Sequence, residues 1–120
     1  MTTNDTIDLL DEKRIARIRA FNDELRTTGQ GGETYTTPGF RSLQPQTQVR
    51  AFEVIRTFTD WTPENDPWRQ HDCAIVDVLP GVRVMFKIDY YDLDKEWGSP
   101  DPADSSMTVR VLTILLPDEY

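Results

Sequence analysis

Cys73–Leu79 (CAIVDVL), Pro80-Gly81 and Val82–Tyr91 (VRVMFKIDYY) form the stretch on which the fold turns. Two apolar runs rich in β-branched residues flank a Pro-Gly pair. Proline fixes φ for a turn and glycine supplies φ > 0, so the stretch predicts a β-hairpin. Side chains alternate across a strand. Val82, Val84, Phe86, Ile88 and Tyr90 therefore share one face, and Arg83, Met85, Lys87, Asp89 and Tyr91 the other. Thr108–Leu116 (TVRVLTILL) has the same composition and predicts a third strand.

Upstream the period changes. Ile15, Ile18, Phe21 or Asn22, and Leu25 recur at helical spacing. Asp8 suits an N-cap, with Asp11 and Glu12 near the positive helix end, and Gly29, Gly31 and Gly32 stop the helix. Arg14, Arg17 and Arg26 fall largely outside the apolar stripe. Asp11, Glu12, Asp23 and Glu24 interleave with Arg14, Arg17, Arg19 and Arg26, which predicts a salt-bridged solvent face rather than a nucleic-acid footprint. YTTPGF (35–40) predicts an extended segment that turns at Pro38-Gly39. Pro45 suits the first position of a second helix, with Ala51, Val54, Ile55 and Phe58 inward. Pro63 and Pro67 forbid its continuation, and Trp61 and Trp68 are expected to cover its end.

The expected class is α+β: two N-terminal helices packed on a three-stranded antiparallel meander, with a long acidic loop over residues 91–106. Residues 1–7 are expected to be a flexible N-terminus and 8–120 a single domain. A chain of 120 residues can bury roughly 65% of its unfolded surface, so it needs no staples. Its one cysteine, Cys73, allows no internal disulfide, which suits a reducing cytoplasm. No signal-peptide pattern opens the chain, and no apolar run approaches the roughly 20 residues of a membrane helix. The expectation is a soluble, cytoplasmic protein.

Net charge is −8 and uneven. Residues 1–60 hold nine acids and eight bases; residues 61–120 hold twelve acids and five bases. Phosphate contacts need Lys and Arg, so the second half argues against direct nucleic-acid binding and for a basic protein surface as partner. Asp89, Asp92, Asp94, Glu96, Asp101 and Asp104 crowd into one segment, offset by Lys95 alone, with Pro100 and Pro102 stiffening it. A loop this long without structure of its own is uncommon and often functional. Alternate residues of extended backbone recur at roughly 6–7 Å, close to phosphate spacing, so the acids are candidates to mimic a nucleic-acid strand. Tyr91 and Trp97 would anchor the contact. The competing reading is a solubilising loop. Asp92, Asp94 and Glu96 have the spacing of the first calcium ligands, but Trp97 stands where that loop needs glycine and Ala103 where it needs glutamate. No metal and no cofactor are expected.

His71, the lone histidine, could act as a general base oriented by a carboxylate, with Asp72 and Asp89 the acids of a small metal-dependent or His-assisted hydrolase. Asp72 would point to the opposite strand face, and an ordinary hydrogen bond is the simpler expectation. Cys73 opens a strand with no basic patch to activate it, so a buried thiol is expected. TGQGG (28–32) lacks the phosphate-loop lysine and the dinucleotide spacing and reads as a helix stop.

RIRAFNDELRTTGQGG, TPENDPW, HD, KIDYYD, GSPDPAD and RVLTILLPDEY together resemble a family of small bacterial proteins of unknown function, often carried on plasmids and other mobile elements. The resemblance spans residues 14–120. It implies a single domain and a mobile-element setting, and no catalytic residue. Small acidic proteins of such elements often inhibit host defence, as anti-restriction and anti-CRISPR proteins do, several by occupying a DNA site. By that analogy of type the chain is expected to be a non-enzymatic inhibitor binding the basic, nucleic-acid-binding surface of a host complex.

Overall fold

The structure, a computed structural model, describes residues 3–120, with side chains from residue 9 onward. The chain runs α1 (Thr3–Thr28), β1 (Glu33–Thr36), α2 (Pro38–Arg41), α3 (Pro45–Arg56), β2 (Cys73–Leu79), β3 (Val82–Tyr91) and β4 (Val109–Leu115). A single 3-10 turn precedes β4 at Ser105–Met107 and another follows it at Pro117–Glu119. The class is α+β, with its main helices in the N-terminal half.

The hairpin forms as its sequence requires. Cys73 stands opposite Lys87, and Gly81 takes a positive φ of 77° in the turn. β4 pairs antiparallel with β3, Phe86 opposite Ile114. Val84, Phe86 and Ile88 are buried beneath the helices with Ala74, Val76, Leu112 and Ile114. α3 begins at Pro45 and buries Ala51 and Ile55, with Val54 and Phe58 packed against the same core.

The sheet differs from the expected antiparallel meander. It has four strands in the order β1-β4-β3-β2, and β1 pairs parallel to β4, Tyr35 beside Thr113. The sequence signal for β1 is too short to show this, because a residue strip of four has no period and a parallel partner lies far along the chain. Gly32 permits the approach. A Cβ there would lie 2.5 Å from the Arg110 carbonyl oxygen.

α1 begins at Thr3 rather than near Asp8. Of the residues expected to be a flexible N-terminus, Met1 and Thr2 lie outside the described residues and the backbone from Thr3 is helical. Its inward face carries Ile18, Asn22 and Leu25 as expected, but Arg26 is buried as well, against expectation. Nη1 of Arg26 donates to the carbonyls of Ile55 (3.0 Å) and Phe58 (3.1 Å), satisfying the end of α3. Nη2 donates to Asp23 at 2.9 Å. Arg14, Arg19 and Glu12 also reach off the helix, to Asp101, the Arg69 carbonyl and the Arg69 guanidinium. Apart from the Asp23–Arg26 pair, these charges tie α1 to the rest of the fold rather than forming a self-paired face. Trp61 packs edge-on to Phe58 and Phe86 as expected, whereas Trp68 is exposed.

Candidate functional site

The acidic loop is ordered by its own hydrogen bonds, in two parts. The first is a tight tip on the end of β3. The Asp92 amide donates to the Trp97 carbonyl at 2.9 Å, and the Lys95 amide to the Asp92 carbonyl at 3.0 Å. Oδ1 of Asp92 accepts from the Glu96 amide at 3.0 Å. Tyr91 bridges to Gly98 below the turn, and Lys95 adopts φ 58° at its apex. Lys95 Nζ folds back onto both oxygens of Glu33 at 3.0 Å. Glu33 also accepts from the Tyr35 hydroxyl, and these two donors, the phenol first, hold its carboxyl below the usual range. The tip carries Leu93 at 63% exposure and Trp97 at 75%. Asp94 and Glu96 are exposed and join no side-chain hydrogen bond or ion pair among the described residues.

The second part is built inward. Ser99 and Thr108 share a hydrogen bond at 2.7 Å, and Thr108 donates to the Asp101 carbonyl at 2.9 Å. Oδ1 of Asp101 accepts from Nε and Nη2 of Arg14, at 3.2 and 3.1 Å, and from the Ala103 amide at 3.1 Å. Asp104 caps the 3-10 turn, accepting from the amide and hydroxyl of Ser106, and these bonds hold its carboxyl below the usual range. Below this part lies Arg110, 2% exposed. Its Nε donates to Asn22 Oδ1 at 3.0 Å, and its Nη2 donates to the Pro102 carbonyl. Its guanidinium lies over the rings of Phe21 and Tyr90. Burial pushes the Arg110 guanidinium down and the Tyr90 phenol up to about 12.

The candidate acids therefore divide. Asp94 and Glu96 precede Trp97 in the tip and are exposed. Asp92, Asp101 and Asp104 serve the loop's own architecture. Asp89 lies further back on β3, bonded to Lys87 at 2.6 Å, a contact that raises the lysine. Tyr91 is half-buried at the neck of the tip. The acids thus do not present a continuous outward row. Leu93 completes the exposed tip. The only sequence signal for it is an apolar residue set between Asp92 and Asp94.

His71 lies elsewhere, at the junction of α1 with the segment before β2. Its Nδ1 is 2.8 Å from Asp23 Oδ1, its Nε2 is 3.6 Å from Asp66 Oδ2, and its ring stacks on Trp61 at 4.2 Å and 5°. The buried Asp66 carboxylate accepts from the amides of Gln70 and His71. Hydrogen bonds do not join His71 to Asp72 or Asp89 among the described residues. Burial, ahead of the charges of Asp66 and Asp89, pushes the half-buried Asp72 carboxyl up. Burial likewise pushes the Cys73 thiol up, away from an activated thiolate. Among the described residues no group of three or more His, Cys, Asp or Glu is placed to hold a metal ion. No helix among them is long and apolar enough to cross a membrane.

Residues 36–119 match a family described as "Protein of unknown function (DUF3768)". The chain belongs to this family. The DUF3768 segment takes in α2, α3, the hairpin, both parts of the acidic loop and β4, and it leaves α1 outside. No curated protein and no solved structure matches the chain.

Proposed function

We propose that this protein is a small, non-enzymatic, cytoplasmic inhibitor from a mobile element that binds the basic, nucleic-acid-binding surface of a host defence complex, of the anti-restriction or anti-CRISPR type. The tip of residues 92–97 is the contact. The observation that carries this reading is the exposed Trp97, held on a hydrogen-bonded turn that also carries two exposed carboxylates, Asp94 and Glu96, with no side-chain partner among the described residues. An exposed tryptophan on a rigid element offers contact area at low entropic cost. The neighbouring Asp94 and Glu96 suit a pocket rimmed by arginine and lysine, and speed encounter with it. Recognition is concentrated in a short acidic-aromatic knob rather than spread along a polyphosphate-like strand.

The test is capture from lysate of a bacterium that carries the gene. Full-length protein should retain a nucleic-acid-binding complex, lose it to competing DNA, and lose it as salt rises through the screening range. Retention that ignores both salt and Trp97→Ala would sink the reading.

The hydrolase alternative draws on one observation, the 2.8 Å contact between His71 and Asp23, which is the geometry of an oriented base. Against it, the ring is stacked on Trp61, and its second nitrogen faces the buried Asp66 carboxylate at 3.6 Å rather than an open cleft. Turnover of ester or phosphoester substrates that vanishes in His71→Gln would reinstate it.

A further inference from the structure

We propose that the outer edge of β2 joins two copies of this chain, the two edge strands running antiparallel about a two-fold axis midway between their Ile75 residues. The sheet order leaves β2 at an edge. The Ile88 amide donates to the Asp72 carbonyl at 2.7 Å, just before the strand. That bond sets the phase of the whole ladder, because hydrogen-bonded and non-bonded pairs alternate along antiparallel strands. Ala74 opposite Phe86 and Val76 opposite Val84 are then bonded pairs. Cys73, Ile75 and Asp77 turn their main-chain amides and carbonyls away from β3. Among the described residues no hydrogen bond reaches those outward groups. The pairing shifts between Asp77 and Leu79, so the outward row ends at Asp77.

This row is complementary to itself. Antiparallel pairing centred on Ile75 sets the two Ile75 residues opposite one another and Cys73 of each copy opposite Asp77 of the other. Each pair exchanges both main-chain bonds, so every outward group is used. Ile75, 48% exposed on the face away from the helices, meets its twin at a Cβ separation of about 5 Å. No like charges oppose. Asp77 faces a neutral thiol and already lies 3.2 Å from its own Arg83. Sliding the register toward the turn would bring the two Asp77 carboxylates together, and sliding it the other way would leave outward groups unpaired. Edge strands are usually protected by lysine, proline or a charge at the centre of the row. The row Cys73–Asp77 has none of these at its centre.

The choice of a second copy over a foreign strand rests on this match of length, phase and charge. It is independent of the tip and of the proposed inhibitor role. The two can be told apart by salt. Each copy carries −8, so screening should strengthen self-association while weakening capture of a basic partner.

Sedimentation equilibrium of the full chain tests it. The expected result is a monomer–dimer equilibrium that tightens with salt and weakens at least tenfold in Ile75→Lys, which sets two ammonium groups across the axis. In Asp77→Cys, the new thiol would face the other copy's Cys73 with Cα atoms about 5.5 Å apart, within disulfide reach. Within one chain the same positions are about 13 Å apart along the strand. Mild oxidation should therefore give a covalent dimer and no internal disulfide, even if Ile75→Lys folds poorly. A chain that stays monomeric at millimolar concentration overturns the proposal. So does a dimer that survives Ile75→Lys or an Asp77→Cys variant that gives no cross-linked dimer.

Discussion

The two parts of the acidic loop have similar composition and opposite uses. In residues 92–97 the backbone is closed by Asp92, and Asp94 and Glu96 are left over, beside Trp97. In residues 99–108 the acids are consumed. Asp101 grips Arg14 and the Ala103 amide, Asp104 caps a turn, and Arg110 holds the Pro102 carbonyl from below. The contrast teaches that negative charge in a sequence is not negative charge offered to a partner. An aspartate in a turn accepts nearby amides wherever it can, and only those left without a local donor face outward.

The largest effect that sharpens this contrast is expected at Arg110. Arg110→Met strands buried acceptors on Asn22 and Pro102, and should cost about 3 kcal/mol in urea denaturation. A loss below about 1 kcal/mol would mean that the second part of the loop does not depend on its buried anchor. Trp97→Ala comes next and acts on the other side of the contrast. It should cut affinity for the captured partner about 30-fold, equivalent to about 2 kcal/mol, with the thermal midpoint unchanged. Asp94→Asn combined with Glu96→Gln should slow association several-fold at low salt and leave dissociation nearly untouched. A change in folding stability instead would show that the tip acids are structural after all. Arg14→Ala removes a half-exposed ion pair and should cost less than about 1 kcal/mol.

The smallest expected effect is in acid. The Asp104 carboxyl is held low in the fold, so its contribution is present above the unfolded carboxylate value of about 4 and disappears as pH falls through the folded value. Amide exchange at Ser106 should therefore quicken below about pH 4 before the sheet amides respond. Simultaneous loss of both would merge what the structure separates.

The hairpin, the start of α3 at Pro45 and the buried face of β3 were legible because each has a local cause: a Pro-Gly turn, a residue fitted to a helix start, a period of two. β1 was not legible. Glu33–Thr36 is too short for a period, and its partner Val111–Ile114 is joined to it only through the tertiary fold. Arg26 read as a solvent residue and Arg110 gave no signal of burial, because a pattern of apolar positions cannot foresee a cation satisfied by carbonyls and rings from distant segments. The place of the candidate surface was legible from charge, but its division was not. The Asp104-Ser105-Ser106 spacing does carry a capping signal, and reading it would have removed Asp104 from the outward set.

α1 contributes Asn22 to Arg110 and Asp23 to His71, yet it lies outside the segment shared with the family. Cutting the chain at Thr36 would leave the Arg110 guanidinium with the Pro102 carbonyl alone and the His71 imidazole with Asp66 alone. The shared segment alone would be a hollowed fragment, wet where the intact protein is dry, and the first helix is in effect its plug.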